Sequence, residues 1–264
     1  MLELIGVKKT FNPGTVNAKT ALAGIDLHLK EGDFVTVIGG NGAGKSTTLN
    51  AIAGSWPIDE GKIIIGGNDV THMPEHRRAQ FLGRVFQDPM LGTAANMEIE
   101  ENLALAARRG KARSLRWRIT DAERKQYREI LSTLELGLEN RMTVKVGLLS
   151  GGQRQALTLL MATINRPHLL LLDEHTAALD PKTAAKVLET TDRIISQMGL
   201  TAMMVTHNMR DAITHGNRLI MMKDGKIILD IAGEEKKNLT VENLLEMFSK
   251  KSGEEFASDR ALLS

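Results

Sequence analysis

A glycine-rich loop after a buried strand restricts the fold of this chain more than any other feature of the sequence. The apolar run in "DFVTVIGG" (33–40) ends in glycine, which is typical of a buried parallel strand. Leu49, Ile52 and Ala53 then recur at helical spacing, and Gly54 ends the predicted helix. A strand, a glycine loop and a helix in this order predict an α/β fold with a mainly parallel sheet.

The loop has the spacing of a phosphate-binding loop, with four residues between Gly39 and the sequence Gly44, Lys45, Ser46. Backbone N–H groups and the positive end of the helix dipole favour a bound phosphate there. We expect Lys45 to meet the β- and γ-phosphates and Ser46 to ligate Mg²⁺. A plain glycine turn before a helix is the alternative. The predicted nucleotide loop comprises Gly39, Gly40, Asn41, Gly42, Ala43, Gly44, Lys45, Ser46 and Thr47.

Two acids follow the apolar run "LLLLDE" (169–174). Adjacent side chains at the end of a strand diverge, so the two carboxylates can do different work. We expect Asp173 to bind Mg²⁺ or its water and Glu174 to act on the attacking water. A strand that ends in solvated acids is the alternative. A hydrolase needs the second acid, whereas a kinase ordinarily does not.

The rest of the chain supports alternating strands and helices. Ile25, Leu27 and Leu29 alternate with polar residues, which predicts a half-buried antiparallel strand in an N-terminal β subdomain. Apolar runs predict strands at 168–174 and 200–207, and the segments 61–70 and 218–230 resemble hairpins, the second turning at Asp224-Gly225. A helix between the two strands has Asp180 as N-cap and Gly199 after its last turn.

Helical spacing dominates from about 90 to 165, in "MEIEENLALAARRG" and "DAERKQYREILSTLEL". We therefore divide the chain into a nucleotide-binding α/β core (1–89 and 166–235), an inserted helical subdomain (90–165) and a helical C-terminal tail (236–264).

Composition excludes several classes of protein. There are no cysteines, which rules out disulfides and thiolate metal sites. The start "MLELIGVKKT" is unlike a signal peptide, and no window approaches the roughly 18 apolar residues of a membrane-spanning helix. We expect a cytoplasmic chain. A net charge of +2 argues neither for nor against nucleic acid or lipid as a partner.

Six short motifs, taken in order, resemble the ATP-binding subunit of an ABC transporter. They are "GGNGAGKST" (39–47), the Gln87 of "RVFQDP", "LSGGQ" (149–153), "LLLLDE" (169–174), "AALD" (177–180) and "VTH" (205–207). The resemblance covers nearly the whole chain and implies a P-loop ATPase core. "LSGGQ" separates ABC ATPases from other P-loop proteins, which argues against a P-loop kinase.

The resemblance also implies a role for each motif. Gln87 would touch Mg²⁺ or the lytic water and sense a permease, and His207 would contact the γ-phosphate. Phe11, 28 residues before Gly39, would stack on adenine. Core packing is the alternative for Phe11 and His207. The residues that would contact ATP from a second copy of the chain are Ser150, Gly151, Gly152 and Gln153, with Asp180 at the interface.

Two positions depart mildly from the family pattern. Gly40 and His175 both stand where proline is frequent, and neither change removes a reacting group. Asp180 also has a sufficient structural explanation as a helix N-cap. The basic stretch 108–120 could suggest nucleic acid. In the family this region lies near the permease and the membrane surface, so we favour a solvated or lipid-facing loop and expect no nucleic acid partner.

The resemblance implies a complete function. The chain would bind ATP and Mg²⁺, close into a head-to-tail dimer around two ATP molecules, and drive integral membrane permease subunits from the cytoplasmic face of the membrane. A free-standing ATPase subunit is typical of importers that use an extracytoplasmic substrate-binding protein. The sequences of residues 173–184 and 205–225 resemble those of amino-acid importers. A soluble ABC-type ATPase of a non-transport complex, for example in iron–sulphur cluster assembly, is the alternative.

Overall fold

The computed structural model describes residues 1–111 and 119–252, whose strands form two sheets. The strands are β1 (Leu2–Phe11), β2 (Lys19–Leu29), β3 (Phe34–Ile38), β4 (Glu60–Ile65), β5 (Asn68–Asp69), β6 (Leu82–Val85), β7 (Leu169–Asp173), β8 (Thr201–Val205), β9 (Arg218–Lys223) and β10 (Lys226–Ala232). The α-helices are α1 (Lys45–Ala53), α2 (Glu75–Arg78), α3 (Ile99–Ala107), α4 (Asp121–Ser132), α5 (Gly151–Thr163), α6 (Pro181–Met198), α7 (Met209–Thr214), α8 (Gly233–Lys237) and α9 (Val241–Ser252).

The six-stranded sheet has the order β10-β9-β3-β8-β7-β6. Its pairs are parallel except for β9 and β10, which form a hairpin around Asp224 and Gly225. Every residue of β3 and β8 is buried, as expected for strands covered on both faces. The predicted parallel sheet and the second hairpin are confirmed.

The four-stranded sheet, in the order β2-β1-β4-β5, is antiparallel throughout. Ile25, Leu27 and Leu29 point into the apolar core, whereas Asp26 and His28 are exposed. The period-two alternation therefore did predict an antiparallel strand with one buried face. This sheet packs with α1 around one apolar cluster, so the glycine loop lies between the two sheets.

Helices α3, α4 and α5 fall within the segment predicted to be helical. Helix α3 begins at Ile99, where Glu98 and Glu101 form a reciprocal capping box. Helix α6 has Asp180 as N-cap, Pro181 at its first position and Gly199 in the left-handed conformation at its end, as predicted.

The C-terminal tail contributes α8 and α9. Leu244 of α9, and Leu239 just before this helix, pack against β9, β10 and α7. Most of the basic stretch, residues 112–118, and the end of the tail, residues 253–264, lie outside the described residues. Within the two described ranges, no helix has both the length and the apolar character that crossing a bilayer requires.

Candidate functional site

The carboxyl ends of three central strands meet beside the glycine loop. The N–H of Thr206, just after β8, donates to the carbonyl oxygen of Val37 in β3 at 3.1 Å. The N–H of Glu174, just after β7, donates to the carbonyl oxygen of Val205 at 3.0 Å. Ligands of open α/β sheets bind at this edge, so the fold itself places the glycine loop and the two acids together.

Two glycines of the loop, Gly39 and Gly44, are required by close backbone contacts. Gly39 has φ 151°, and a Cβ at this position would lie 2.2 Å from the carbonyl oxygen of Met222. Gly44 has φ 104°, and its Cβ would lie 2.6 Å from the carbonyl oxygen of Ala21. Neither contact tolerates a side chain, so the loop is held tightly against β9 and β2.

Lys45 lies at the centre of the loop. Its ammonium donates to the carbonyl oxygens of Gly39 and Gly40, at 2.7 and 3.2 Å. Burial lowers the pKa of Lys45, and the negative charges of Glu174 and Asp173 oppose this shift. The lysine and both acids therefore share one site, as the sequence predicts.

Asp173 ends β7 next to a cation that the sequence did not indicate. One terminal nitrogen of Arg84 in β6 lies 3.5 Å from a carboxylate oxygen of Asp173. Burial raises the pKa of Asp173, while the positive charge of Arg84 lowers it. Arg84 is the only charged residue in "FLGRVF" (81–86), and this interruption of an apolar run is the feature by which the sequence could have indicated it.

Glu174 and His207 contact each other where β7 and β8 end. The Nδ1 atom of His207 lies 3.4 Å from a carboxylate oxygen of Glu174. Glu174 has φ 42°, a left-handed conformation that is rare for residues other than glycine and asparagine. Strained backbone of this kind occurs at functional sites, where the surrounding structure imposes it.

His175 is a second residue that sequence reasoning missed. It follows Glu174, is almost fully buried, and its Nε2 atom lies 3.2 Å from the hydroxyl of Thr191 in α6. Burial lowers the pKa of His175 to about 4, so its imidazole is neutral at physiological pH. A buried hydrogen bond to α6 thus supports the backbone directly after Glu174.

Phe11 lies at the end of β1 and is half-buried. Its ring packs edge-on against Trp56, with ring centroids 5.1 Å apart. In the antiparallel register Phe11 pairs with Lys19, whose ammonium lies next to Gly42 of the glycine loop. One aromatic face beside this loop is consistent with the predicted position for adenine.

The predicted metal ligands supply oxygen atoms only. Ser46 and Gln87 are exposed, and Asp173 offers a carboxylate. The described residues contain no group of three or more His, Cys, Asp or Glu able to enclose a metal ion. Mg²⁺ commonly takes one or two protein oxygens and completes its shell with water and substrate phosphates, so this donor set fits it.

The "LSGGQ" motif forms the start of α5, where Ser150 and Gly151 are exposed. The hydroxyl of Ser150 accepts from the N–H of Gln153 at 3.3 Å, and the N–H of Ser150 donates to the side-chain oxygen of Gln153 at 3.2 Å. This capping box explains the serine and the glutamine structurally. Behind it, Gly151 and Gly152 pack against Leu179 and Thr183, which flank Asp180.

The structure brings Asp180 to the start of α5 but leaves that helix start apart from the glycine loop of the same chain. Within residues 1–111 and 119–252, no hydrogen bond or ion pair joins Ser150–Gln153 to Gly39–Thr47. Helix α1, which follows the glycine loop, packs in one apolar cluster and α5 packs in another, so the chain carries two helix N-termini of the kind that binds phosphate in separate places.

A phosphate loop, a buried lysine and paired acids at the carboxyl edge of a parallel sheet define the class of P-loop nucleotide-hydrolysing proteins. Residues 22–177, more than half of the chain, match the family described as ABC transporter. The chain belongs to that family, and it is an ATP-binding subunit with ATPase activity.

Two kinds of curated relatives match over most of the chain. A tyrosine transport ATP-binding protein of Clostridioides difficile (strain R20291) is 42% identical over 248 residues, which are 94% of this chain and 98% of that protein. The spermidine/putrescine import ATP-binding proteins PotA of Spiroplasma citri and Escherichia coli (strain K12) are 35% and 33% identical. Their matches cover 86% and 91% of this chain, but only 60% of each relative.

Solved structures agree with the family. A dimeric ATP-binding cassette in a post-hydrolysis state bound to ADP and Pi superposes with a TM-score of 0.74 at 30% identity, covering 88% of this chain and 98% of that one. An ATP-binding cassette of an ABC transporter in its ADP conformation has a TM-score of 0.77 at 27% identity, covering 94% and 98%.

Proposed function

We propose that this chain powers an ABC importer of amino acids or similar small solutes, as one of two copies in a head-to-tail dimer. The observation that carries the dimer is the separation of the two phosphate-type helix starts. The loop with Lys45 and the start of α5 do not meet within one chain, but each can complete the site of a second copy. A related cassette is dimeric with ADP and Pi bound, which supports this arrangement.

In the proposed reaction, Lys45 and the loop N–H groups hold the ATP phosphates. Glu174 orients the attacking water and accepts its proton, and His207 contacts the γ-phosphate. Their contact at 3.4 Å supports a shared task. Ser150 and the N–H groups of Gly151 and Gly152 would stabilise the same phosphate from the second copy. Loss of the γ-phosphate would remove the contact that holds the two copies together.

Ser46, Asp173 and Gln87 are the residues that would hold Mg²⁺. When bound, this ion neutralises charge on the phosphates. Asp173 provides the only carboxylate of the three. Gln87 lies on an exposed loop directly after β6, so its side chain is free to enter or leave the site.

The permease would bind in a cleft between the sheet and the helical segment. The cleft has a volume of about 1250 Å³, and its lining includes Arg84, Phe86, Leu91, Leu105, Tyr127 and Met161. Leu91 and Leu105 remain 70% and 55% exposed. Exposed apolar side chains at the rim of a cleft are typical of a protein interface. The loop with Gln87 borders this cleft, which would connect the permease to the nucleotide.

Three further elements of the proposal concern the location of the subunit, a partner outside the cell and the domain organisation of the chain. It would be peripheral, on the cytoplasmic face of the cell membrane. A substrate-binding protein would act through the permease outside the cell. The division into a core (1–89 and 166–235), a helical subdomain (90–165) and a tail (236–264) is part of the same proposal.

Amino acids are the favoured cargo because of one relative. The tyrosine transport protein matches along almost its whole length, whereas the spermidine/putrescine proteins extend well beyond this chain. No residue of an ATPase subunit touches cargo, so the permease decides this point. A soluble ABC ATPase of a non-transport complex is the competing function.

Purification of the chain with its native partners separates the two functions. A multi-span permease in detergent, and ATP-dependent uptake of labelled tyrosine by proteoliposomes of the complex, are the expected results. Co-purification with a soluble scaffold complex would contradict the transport function. Uptake of spermidine instead of tyrosine would overturn the proposed cargo and leave the importer in place.

A further inference from the structure

Arg84 contacts three parts of the site that lie in different segments of the sequence. Its guanidinium donates to the side-chain oxygen of Asn50 in α1 at 2.8 Å and to the hydroxyl of Ser55 at 3.2 Å. The same group lies 3.5 Å from the carboxylate of Asp173 and 4.6 Å from the ring centre of Phe86. One side chain thus touches the helix after the glycine loop, the metal carboxylate and the residue before Gln87.

The contacts of Arg84 are incomplete, which distinguishes it from a purely structural arginine. Its side chain is only 11% exposed, yet its Nε atom is buried with no hydrogen-bond partner in the part of the chain that the structure describes. The separation of 3.5 Å from Asp173 is long for a charge-assisted hydrogen bond. The acceptors on Asn50 and Ser55 are uncharged, so neither neutralises the positive charge of Arg84. Asp173 is the carboxylate that lies next to this charge.

The contacts of Arg84 would change if Asp173 held a divalent cation. Two positive charges on the same carboxylate repel each other strongly in a buried site. The guanidinium would then be displaced towards its remaining partners, among which the face of Phe86 attracts a cation. Phe86 is directly bonded to Gln87, and both Arg84 and Phe86 line the cleft assigned above to the permease.

We propose that Arg84 is a positioning residue that holds Asp173 for the metal and transmits the arrival of the metal to the loop of Phe86 and Gln87. The proposal rests on the proposed function, because it takes Asp173 as the metal carboxylate. It adds a physical connection between the metal and the permease-binding cleft that the sequence motifs do not contain.

Hydrogen exchange tests this role without measuring activity. The full chain is saturated with a non-hydrolysable ATP analogue, and amide exchange of residues 86–91 is measured with and without Mg²⁺. We expect Mg²⁺ to slow exchange there by about threefold or more in the wild-type protein. Arg84→Met should lose this response while it binds the analogue without Mg²⁺ to within about twofold of wild type.

Two further variants complete the experiment. Phe86→Leu keeps an apolar side chain but removes the ring face, so it should also lose the response to Mg²⁺. This variant still tests the proposal if Arg84→Met does not fold. Arg193→Met is the matched control, because Arg193 also pairs with a carboxylate, Glu135, and its other hydrogen bond is to the carbonyl oxygen of Thr133. It should keep the full response.

The results distinguish a failure of the proposed function from a failure of the proposed role of Arg84. A wild-type chain that does not bind the analogue contradicts the proposed function itself. A chain that binds the analogue but responds to Mg²⁺ equally in Arg84→Met or Phe86→Leu overturns the role of Arg84 alone. The role of Arg84 is also overturned if amide exchange of residues 86–91 in the wild-type protein does not respond to Mg²⁺.

Discussion

Gly152, at the start of α5, is in contact with Thr183, in the first turn of α6. A Cβ built on Gly152 would lie 2.3 Å from the methyl carbon of Thr183. The N–H of Thr183 donates to Asp180 at 3.1 Å, so the contact fixes α5 against the cap of α6. The glycine is therefore required for packing within one chain, independently of any phosphate it binds.

Gly152→Ala should destabilise the protein by about 1–3 kcal/mol, because the new methyl group has no space. Thr183→Ser removes the opposing methyl carbon and keeps the backbone hydrogen bond to Asp180. We therefore expect the double variant to recover most of the loss, measured by urea unfolding. Equal instability of the single and double variants would show that this contact does not limit the position.

Glu174→Gln should leave ATP binding intact and reduce hydrolysis by about a thousandfold, because the amide cannot accept the proton of the attacking water. ATP should then hold two copies together, which size-exclusion chromatography with ATP detects as a dimer. Glu189→Gln, an exposed change on α6, is the control. Turnover near the wild-type rate would remove Glu174 from the reaction.

Ser150→Asp tests whether α5 serves the nucleotide of a second copy. Aspartate caps a helix as well as serine does, so the fold should persist, but its charge would repel the γ-phosphate. We expect ATPase activity to fall by about 100-fold or more, with ATP affinity of the monomer unchanged. Ser150→Asn keeps the cap without the charge and should retain more activity. Weaker ATP binding by the Ser150→Asp monomer would argue against the two-chain site.

His175 gives stability a defined dependence on pH. The pKa of its imidazole is about 4 in the folded protein and near 6.5 when unfolded, so the unfolded chain takes up the proton first. Its contribution is complete above pH 6.5 and is lost as pH falls towards 4, by about 3 kcal/mol in total. His175→Gln should flatten this part of the curve in urea titrations at pH 7.5 and 5. Parallel curves for both proteins would contradict this assignment.

The sequence predicted the parts of the site that depend on local patterns. The apolar run before Gly39 and the spacing to Lys45 are contained in one short segment, so they specify a strand, a loop and a helix without the rest of the fold. Asp180 was predicted as a cap for the same reason.

Other parts depend on partners that are distant in the chain. Strand β6 was not predicted, because Arg84 interrupts its short apolar run, and it forms by pairing with β7. The contacts of Arg84 with Asp173, and of His175 with Thr191, likewise exist only after the sheet and α6 have assembled. No spacing rule in the sequence brings these residues together.

Phe11 should contribute to ATP affinity through its ring, which lies beside Trp56 near the glycine loop. Stacking of a base on an aromatic side chain contributes about 1–3 kcal/mol, so Phe11→Ala should weaken ATP binding by about tenfold. Phe11→Tyr keeps the ring and should bind ATP like the wild type. Calorimetry with inorganic tripolyphosphate separates stacking from damage to the loop, because this ligand has no base. If Phe11→Ala weakens tripolyphosphate and ATP equally, Phe11 supports the fold of the loop and does not bind adenine.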